Sequence, residues 1–520
     1  ALILLLAGLS GEVRAETLTW NGNEEHMTWN TEDTNWLQGE TAAKYTDGAD
    51  VVFDNTGYRL VTLQGPIAPK SVLVKNSSDH SYLFIPPIIV GSGSLTGSMQ
   101  LIKDGEGELY IYTANDYFGG TLLKNGILVL YNDKALGSGD VTLMGATLNL
   151  AGHAISNNIV VEGAAHISSG TVSGNLSLAE NATLTWEEGS SLHLTGSISL
   201  GNNTTFDLGG HTLSNNVNVN GTAHIANGTV SGNLNLADDA SFTWSDEANL
   251  QLTGSISLGT DAELDLGKRA ISNDIILNGS YACIGNGSIN KDLYVKVALT
   301  LVLKGDIDGP GDIILGSDAM LVLRDIDISN SVILNEYAQI SGSGTISGDL
   351  ILADNTSFIW HNVFSDDDVQ LTGNITLGER TDLKLEGKTL SASVNVIGDD
   401  AFISSGTLSG GLTLGAGNWL HLLAVDLTGT GSISLEDGAQ LIWTGHTLSG
   451  SIKLGKLSAI DADFVSSNTT IKTRTYADGA VLEKVSVSDG LIAGTDRQAS
   501  LADGLYIKSE ANLLIESMTI

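Results

Sequence analysis

Gly152-His-Ala-Ile-Ser-Asn-Asn158 is spelled again, nearly unchanged, as Gly210-His-Thr-Leu-Ser-Asn-Asn216, 58 residues on. The serine of the phrase returns at Ser156, Ser214, Ser272, Ser329, Ser391 and Ser449, at steps of 58, 58, 57, 62 and 58 residues. Two further phrases keep the same beat. Ile167-Ser-Ser-Gly-Thr-Val-Ser-Gly-Asn-Leu176 reappears from Ile225 and, more loosely, from Ile284, Ile340 and Ile403. Leu194-Thr-Gly-Ser-Ile-Ser-Leu-Gly201 is intact again from Leu252, varied from Leu371, and present in part at Leu435. A fixed period of this kind is the signature of a solenoid, in which each repeat packs only on its neighbours.

Inside one period the pattern is short apolar alternation broken by Gly, Asn, Ser and Asp. Leu176-Ser-Leu178, Leu184-Thr-Trp186, Leu192-His-Leu194 and Ile198-Ser-Leu200 follow one another in a single unit. Period 2 puts one face of each piece inside and the other in water. No 3.6-residue periodicity is present, and Gly, Asn and β-branched residues oppose helix. Similar strands recur about every 19 residues, three to a unit, which predicts parallel turns of a β-helix stacked at about 4.8 Å. The regular stretch, residues 91–450, then holds about 18 turns. Residues 451–520 keep the alternation, as in Val481-Leu-Glu-Lys-Val-Ser-Val487, but lose the phrases, and read as further turns or a C-terminal cap.

Residues 16–90 differ in composition. They hold Trp20, Trp29 and Trp36 and four of the five prolines, Pro66, Pro69, Pro86 and Pro87. Thr17-Leu-Thr-Trp20 and Ala49-Asp-Val-Val-Phe53 read as strands, with turns at Asn21-Gly22 and Asp47-Gly48. A β-rich N-terminal cap is expected, because an open solenoid end exposes core and unpaired strand edges. Ahead of it, Leu2-Ile-Leu-Leu-Leu-Ala-Gly-Leu9 and Val13-Arg14-Ala15 read as the apolar region and cleavage site of a signal peptide spanning residues 1–15, entered without its basic start. At the other end Leu513-Leu-Ile-Glu-Ser-Met-Thr-Ile520 is apolar and reads as continuing further.

Net charge is −36, from 24 Lys and Arg against 60 Asp and Glu. Such a surface repels nucleic acid and anionic membranes, both of which need clustered cations. The lone cysteine, Cys283, rules out a disulfide framework within the chain and reads as a small buried apolar residue.

Several residues capable of chemistry recur at fixed register. His153, His211 and His446 share one position, and His166 and His224 another. Mates one unit apart lie three turns apart, about 14 Å, too far to share an ion. The first position also reads Arg269, Ile326 and Lys388, and the second Cys283, Gln339 and Phe402, which is not ligand chemistry. Trp186 and Trp244 are register mates, with Trp360 two units later; an outward aromatic ladder stacks on sugars, but Trp186 shares the face of Leu184 and so points to the core. Glu187-Glu188, Asp238-Asp239 and Asp366-Asp367-Asp368 read as solvated turns, matching no calcium loop. Gly91-Ser-Gly-Ser-Leu-Thr-Gly97 lacks the βαβ setting of a dinucleotide loop. Lys268-Arg269 is an isolated basic pair, and no Asp–Lys–Arg trio of a polysaccharide lyase stands out. No catalytic residue, cofactor or metal site is expected.

One segment carries a resemblance. Leu101-Ile-Lys-Asp-Gly-Glu-Gly-Glu-Leu-Tyr-Ile-Tyr-Thr-Ala-Asn-Asp-Tyr-Phe-Gly-Gly-Thr121 leads into Asn125-Gly-Ile-Leu128, then Ala135-Leu-Gly-Ser-Gly139 and Val141-Thr-Leu-Met-Gly-Ala-Thr-Leu-Asn-Leu150. This resembles the passenger-associated transport repeat of autotransporter proteins, whose pattern is Leu-x-Lys-x-Gly-x-Gly-x-Leu, Asn-x-Tyr-x-Gly-Gly-Thr, a Gly-x-Leu strand and Leu-Gly-Ser-Gly. It covers about 50 residues once; the 58-residue units are a different repeat. The stretch from Trp29-Asn-Thr-Glu-Asp-Thr-Asn-Trp36 to Asp50-Val-Val-Phe53 is also similar to the start of such passengers. The resemblance implies a right-handed, single-stranded parallel β-helix, secreted to the bacterial surface and held at the outer membrane. The family's translocator barrel is not among these residues. The expected function is a non-enzymatic adhesin, or a structural stalk that holds another domain from the cell. Its ligand is a host or surface molecule, with a glycan as one candidate. The alternative is a carbohydrate-binding or polysaccharide-degrading β-helix.

Overall fold

The structure, a computed structural model, describes residues 17–87, 92–244, 249–360, 369–428 and 432–442, and past these the backbone of short strands as far as Ile507. The segment read as a signal peptide, Asp366-Asp367-Asp368, His446 and the apolar C-terminus lie outside the described residues. The described chain is strand and turn without helix, and its parallel strands stack as a β-solenoid of about 19 turns. It divides into two units, Ala1–Asn235 with Glu247–Gly254, and Leu236–Asp246 with Ser255–Ile520.

The first unit opens on a small antiparallel edge. Thr17–Trp20 pairs antiparallel with Trp36–Gln38, which pairs antiparallel with Thr41–Ala43. Thr17–Trp20 also pairs parallel with Asp50–Phe53, and from there Ser71–Val74, Gln100–Ile111 and Thr121–Leu130 follow in parallel register. The tryptophans of this stretch lie beneath. Trp20, Trp29, Trp36, Tyr45, Phe53 and Phe84 are fully buried, and their rings meet edge-on or tilted at centroid distances from 5.0 to 6.2 Å. Edge-to-face contact suits the ring quadrupoles and fills the end of the core.

Above it the solenoid settles into three-residue strands with the middle residue facing out. Ile159–Val161, Leu176–Leu178, Ile198–Leu200 and Val217–Val219 pair in direct register, Ile159 on Leu176 on Ile198 on Val217. Three steps of stacking cover 217 − 159 = 58 residues, so the sequence period is three turns. Both flanking residues of each triplet are buried. Burying each such side chain contributes about 1.5–3 kcal/mol before the entropy of ordering the chain is charged against it. The second unit repeats the device through Ile256–Leu258, Ile275–Leu277, Leu293–Val295, Ile313–Leu315, Val332–Leu334 and Leu350–Leu352. Its remaining strands are longer. Glu263–Ile271, Ala282–Ile289, Thr300–Asp308 and Met320–Ile328 run through a corner, and their pairing skips register there.

The repeated phrases are the joints between turns. In Ser156-Asn157-Asn158 the two asparagines do different work. Asn157 is buried and donates its amide to the Gly139 carbonyl of the turn below at 2.7 Å. Asn158 lies outside, donates to Asp140 at 3.1 Å, and accepts the Asn175 N–H at 3.0 Å. Asn175 accepts the Ser197 N–H in turn, at 3.1 Å. Asn215 and Asn330 repeat the inward role on Gly196 and Gly311, each at 2.7 Å. The glycine of Thr-Val-Ser-Gly-Asn is explained by the same stack, because a Cβ on Gly174 would overlap the Asn157 carbonyl.

Candidate functional site

The registered histidines fall on separate turns and take unrelated partners. His153 pairs through Nδ1 with Asp133 Oδ1 at 2.8 Å. His211 hydrogen-bonds through Nε2 to the Glu187 carbonyl at 3.0 Å. His166 faces out between Thr147 and Thr185, and His224 sits opposite Thr205. Among the described residues no group of three His, Cys, Asp or Glu side chains is placed to hold a metal ion. Glu187-Glu188 and Asp238-Asp239 are exposed turn residues; Asp239 takes the left-handed conformation at φ 60, and Asp238 accepts the Thr260 N–H at 2.7 Å.

The tryptophan ladder and the histidine ladder belong to one device. Trp186, Trp244 and Trp360 are all buried, and each is covered by the residue at the histidine position of a later turn. The His211 ring stacks on Trp186 at 4.7 Å and 14°. The Arg269 guanidinium lies 5.3 Å from the Trp244 ring centroid, and the Lys388 ammonium 5.3 Å from that of Trp360. A cation over an indole face gains about 0.5–2 kcal/mol. The spacing from Trp to cover is 211 − 186 = 25, 269 − 244 = 25 and 388 − 360 = 28 residues. That near-constant offset was the available signal. The basic pair Lys268-Arg269 resolves the same way, into a corner residue at φ 61 and an indole cover.

Cys283 is buried, yet it lies on an outward row, between Glu263 and Val302. Lys304 reaches Glu263 Oε1 at 2.6 Å, and burial pushes the thiol pKa up, so its proton is held. Asp265, Lys304 and Arg324 share the next row, with Gly285 between Asp265 and Lys304. This charged column is the assembly of acid and base that the linear sequence hid.

The transport-repeat-like segment forms a compact structural element. Its strand Gln100–Ile111 pairs with Ser71–Val74 and Tyr82–Ile85 on one side and Thr121–Leu130 on the other. Lys103 points inward and is fully buried, its ammonium donating to the Gly105 carbonyl and, at 3.4 Å, to that of Asn125. Loss of hydration pushes its pKa down to about 8, with Asp104 opposing. Asn115 is buried and bridges turns, accepting the Leu95 N–H at 2.9 Å and donating to the Ala135 carbonyl at 2.7 Å. Tyr117 is buried with its hydroxyl 2.7 Å from Thr121 Oγ1. At Gly126, φ 77, a Cβ would overlap the Gly105 and Gly107 carbonyls. On the outer face Tyr112 stacks on Tyr131 at 4.4 Å and 3°, with Tyr110 bonded to the Glu108 carboxylate.

No family model, curated protein or solved structure matches the chain in comparisons with known proteins.

Proposed function

We propose that this chain is the passenger portion of a bacterial autotransporter-like protein, displayed at the cell surface as a non-enzymatic adhesin or structural stalk. The observation that carries the reading is the segment Leu101–Leu150. Signature residues of its transport-repeat-like pattern serve the stacking of one turn on the next: Lys103 sealed inside, Gly105 and Gly126 in close backbone approach, Asn115 bridging turns, and Tyr117 closing on Thr121. A pattern whose residues build the solenoid suits a protein that folds as it emerges, since a nearest-neighbour stack forms turn by turn. The acidic, strongly solvated composition agrees with an extracellular place.

Reading the coding sequence past the codon for Ile520 tests the proposal. Alternating segments of about ten residues, even in number, are expected there as strands of an outer-membrane barrel. A reading frame that closes with neither a barrel nor an anchor contradicts it. The carbohydrate alternative draws on the tyrosines at Tyr110, Tyr112 and Tyr131, which form an aromatic surface beside Glu108. Binding or cleavage in a polysaccharide panel, lost in Tyr131→Ala, is what it requires.

A further inference from the structure

In the row of three-residue strands that begins with Ile159–Val161 the middle residue faces outward, and in most turns it is polar. Ser177, Ser199 and Asn218 occupy it in the first unit, and Thr376, Asn395 and Thr413 late in the second. Between Ser257 and Thr376 the row changes character. Ile276, Tyr294, Ile314, Ile333 and Ile351 stand one above another on five consecutive turns, about 19 Å from first to last. Tyr294 is 58 % exposed. The turns that border this face add Tyr281, Val297 and Tyr337, the last two 64 % and 62 % exposed. The solenoid core does not need these side chains, because the inward residues of the same strands are already buried. Ile276 and Tyr294 are exposed and Ile314, Ile333 and Ile351 half-buried, and an outward apolar row of this kind flanked by tyrosines has the composition of a protein-binding surface.

The rim specifies what fits. Asp292, Asp312 and Asp349 lie along one side of the row, and Asp318, Glu336 and Asp354 in the turns on the other. The Asp312 N–H donates to Asp292 Oδ1 at 3.1 Å, and burial together with the Asp292 charge raises the Asp312 pKa. The nearest cations are few. Lys291 is paired with Asp274 at 2.5 Å, and Lys296 donates to the Asn278 amide oxygen at 3.3 Å. A second copy of this chain brings the same negative rim and is repelled.

We propose that this face docks a protein partner through an amphipathic, cationic segment: apolar side chains on the isoleucine–tyrosine row, Lys or Arg on the acidic borders. The proposal stands apart from how the chain reaches the surface. The probe is a synthetic peptide of about 14 residues in which Leu and Lys alternate at helical spacing, with a Leu/Glu peptide of the same pattern as control. Fluorescence anisotropy is read at about 150 mM salt, where long-range attraction is largely screened. The full chain should bind the Leu/Lys peptide and not the Leu/Glu peptide. The charge-neutral double variant Tyr294→Ser with Tyr337→Ser should weaken binding at least about tenfold. Asp292→Asn with Asp312→Asn should weaken it about threefold and flatten its salt dependence. Both pairs are surface substitutions, and unchanged circular dichroism and melting keep the comparison valid. Absence of binding, equal binding of the two peptides, or an affinity unchanged in the tyrosine variant overturns the proposal. So does a concentration-dependent dimer abolished by the tyrosine variant, which makes a second copy the occupant.

Discussion

Asn157 and Asn158 are neighbours of the same type with opposite duties, and their substitutions should separate. Asn157→Ala strands the partly buried Gly139 carbonyl that the amide satisfies at 2.7 Å, a loss of about 1–3 kcal/mol. Asn158→Ala removes exposed bonds that water replaces, and should cost under about 1 kcal/mol. Guanidinium unfolding of both variants checks this, and equal losses speak against the division of roles. Lys103 makes a second residue-scale prediction. Its folded pKa of about 8 lies below the unfolded lysine value of about 10.4, so between them the unfolded chain binds more protons. Stability therefore rises with pH across that interval, by about 2 kcal/mol from about pH 8 to about pH 9.5. The buried Tyr45, Tyr82 and Tyr117 have raised pKa values from burial, so their contribution is full below about pH 10 and falls above it. The expected profile peaks between these limits, and Lys103→Met should flatten its rising limb. A rising limb that survives in Lys103→Met assigns it to another group.

At the scale of the element, the unit is a turn of about 19 residues whose triplet strand, corner and phrase glycine all serve stacking. Gly174→Ala should cost about 1–3 kcal/mol, because its Cβ meets backbone that cannot yield without opening the turn. The tryptophan clamp offers an optical readout. His211→Ala should red-shift emission from Trp186 and lower stability by about 0.5–1.5 kcal/mol, and Arg269→Ala should red-shift Trp244 and cost about 0.5–2 kcal/mol. Emission unchanged in both would mean that the covers do not seal the indoles. Much of this level was legible. The beat of Ser156, Ser214 and Ser272 yields three turns per unit, and the alternation Leu184-Thr-Trp186 puts Trp186 inside, as found. The partnership of Trp186 with His211 is not legible in the sequence, because it depends on which residues of successive turns come to lie together. Lys103 escaped for another reason. Its inward place follows from sharing the parity of Leu101 and Leu109, but a lysine is not expected in a core until Gly105 and Asn125 supply carbonyls to it. The Ile276–Ile351 row was hidden because strands such as Ile313–Leu315 are apolar at all three positions, so no alternation marks the outward one.

For the molecule as a whole, repetition and charge bear on function together. Stacked turns bury a core without disulfides, and a net charge of −36 keeps so much strand surface solvated and blunts edge-to-edge association. These properties suit a protein exposed outside the cell, and that exposure is the central claim. Intact cells of the native host, treated with a protease that cannot cross the outer membrane, test it most directly. Mass spectrometry of the released peptides should recover fragments from exposed turns such as Glu187-Glu188, while a periplasmic marker protein stays whole. Recovery of no fragment from intact cells, with fragments appearing only after lysis, would place the chain inside the envelope and contradict the passenger account.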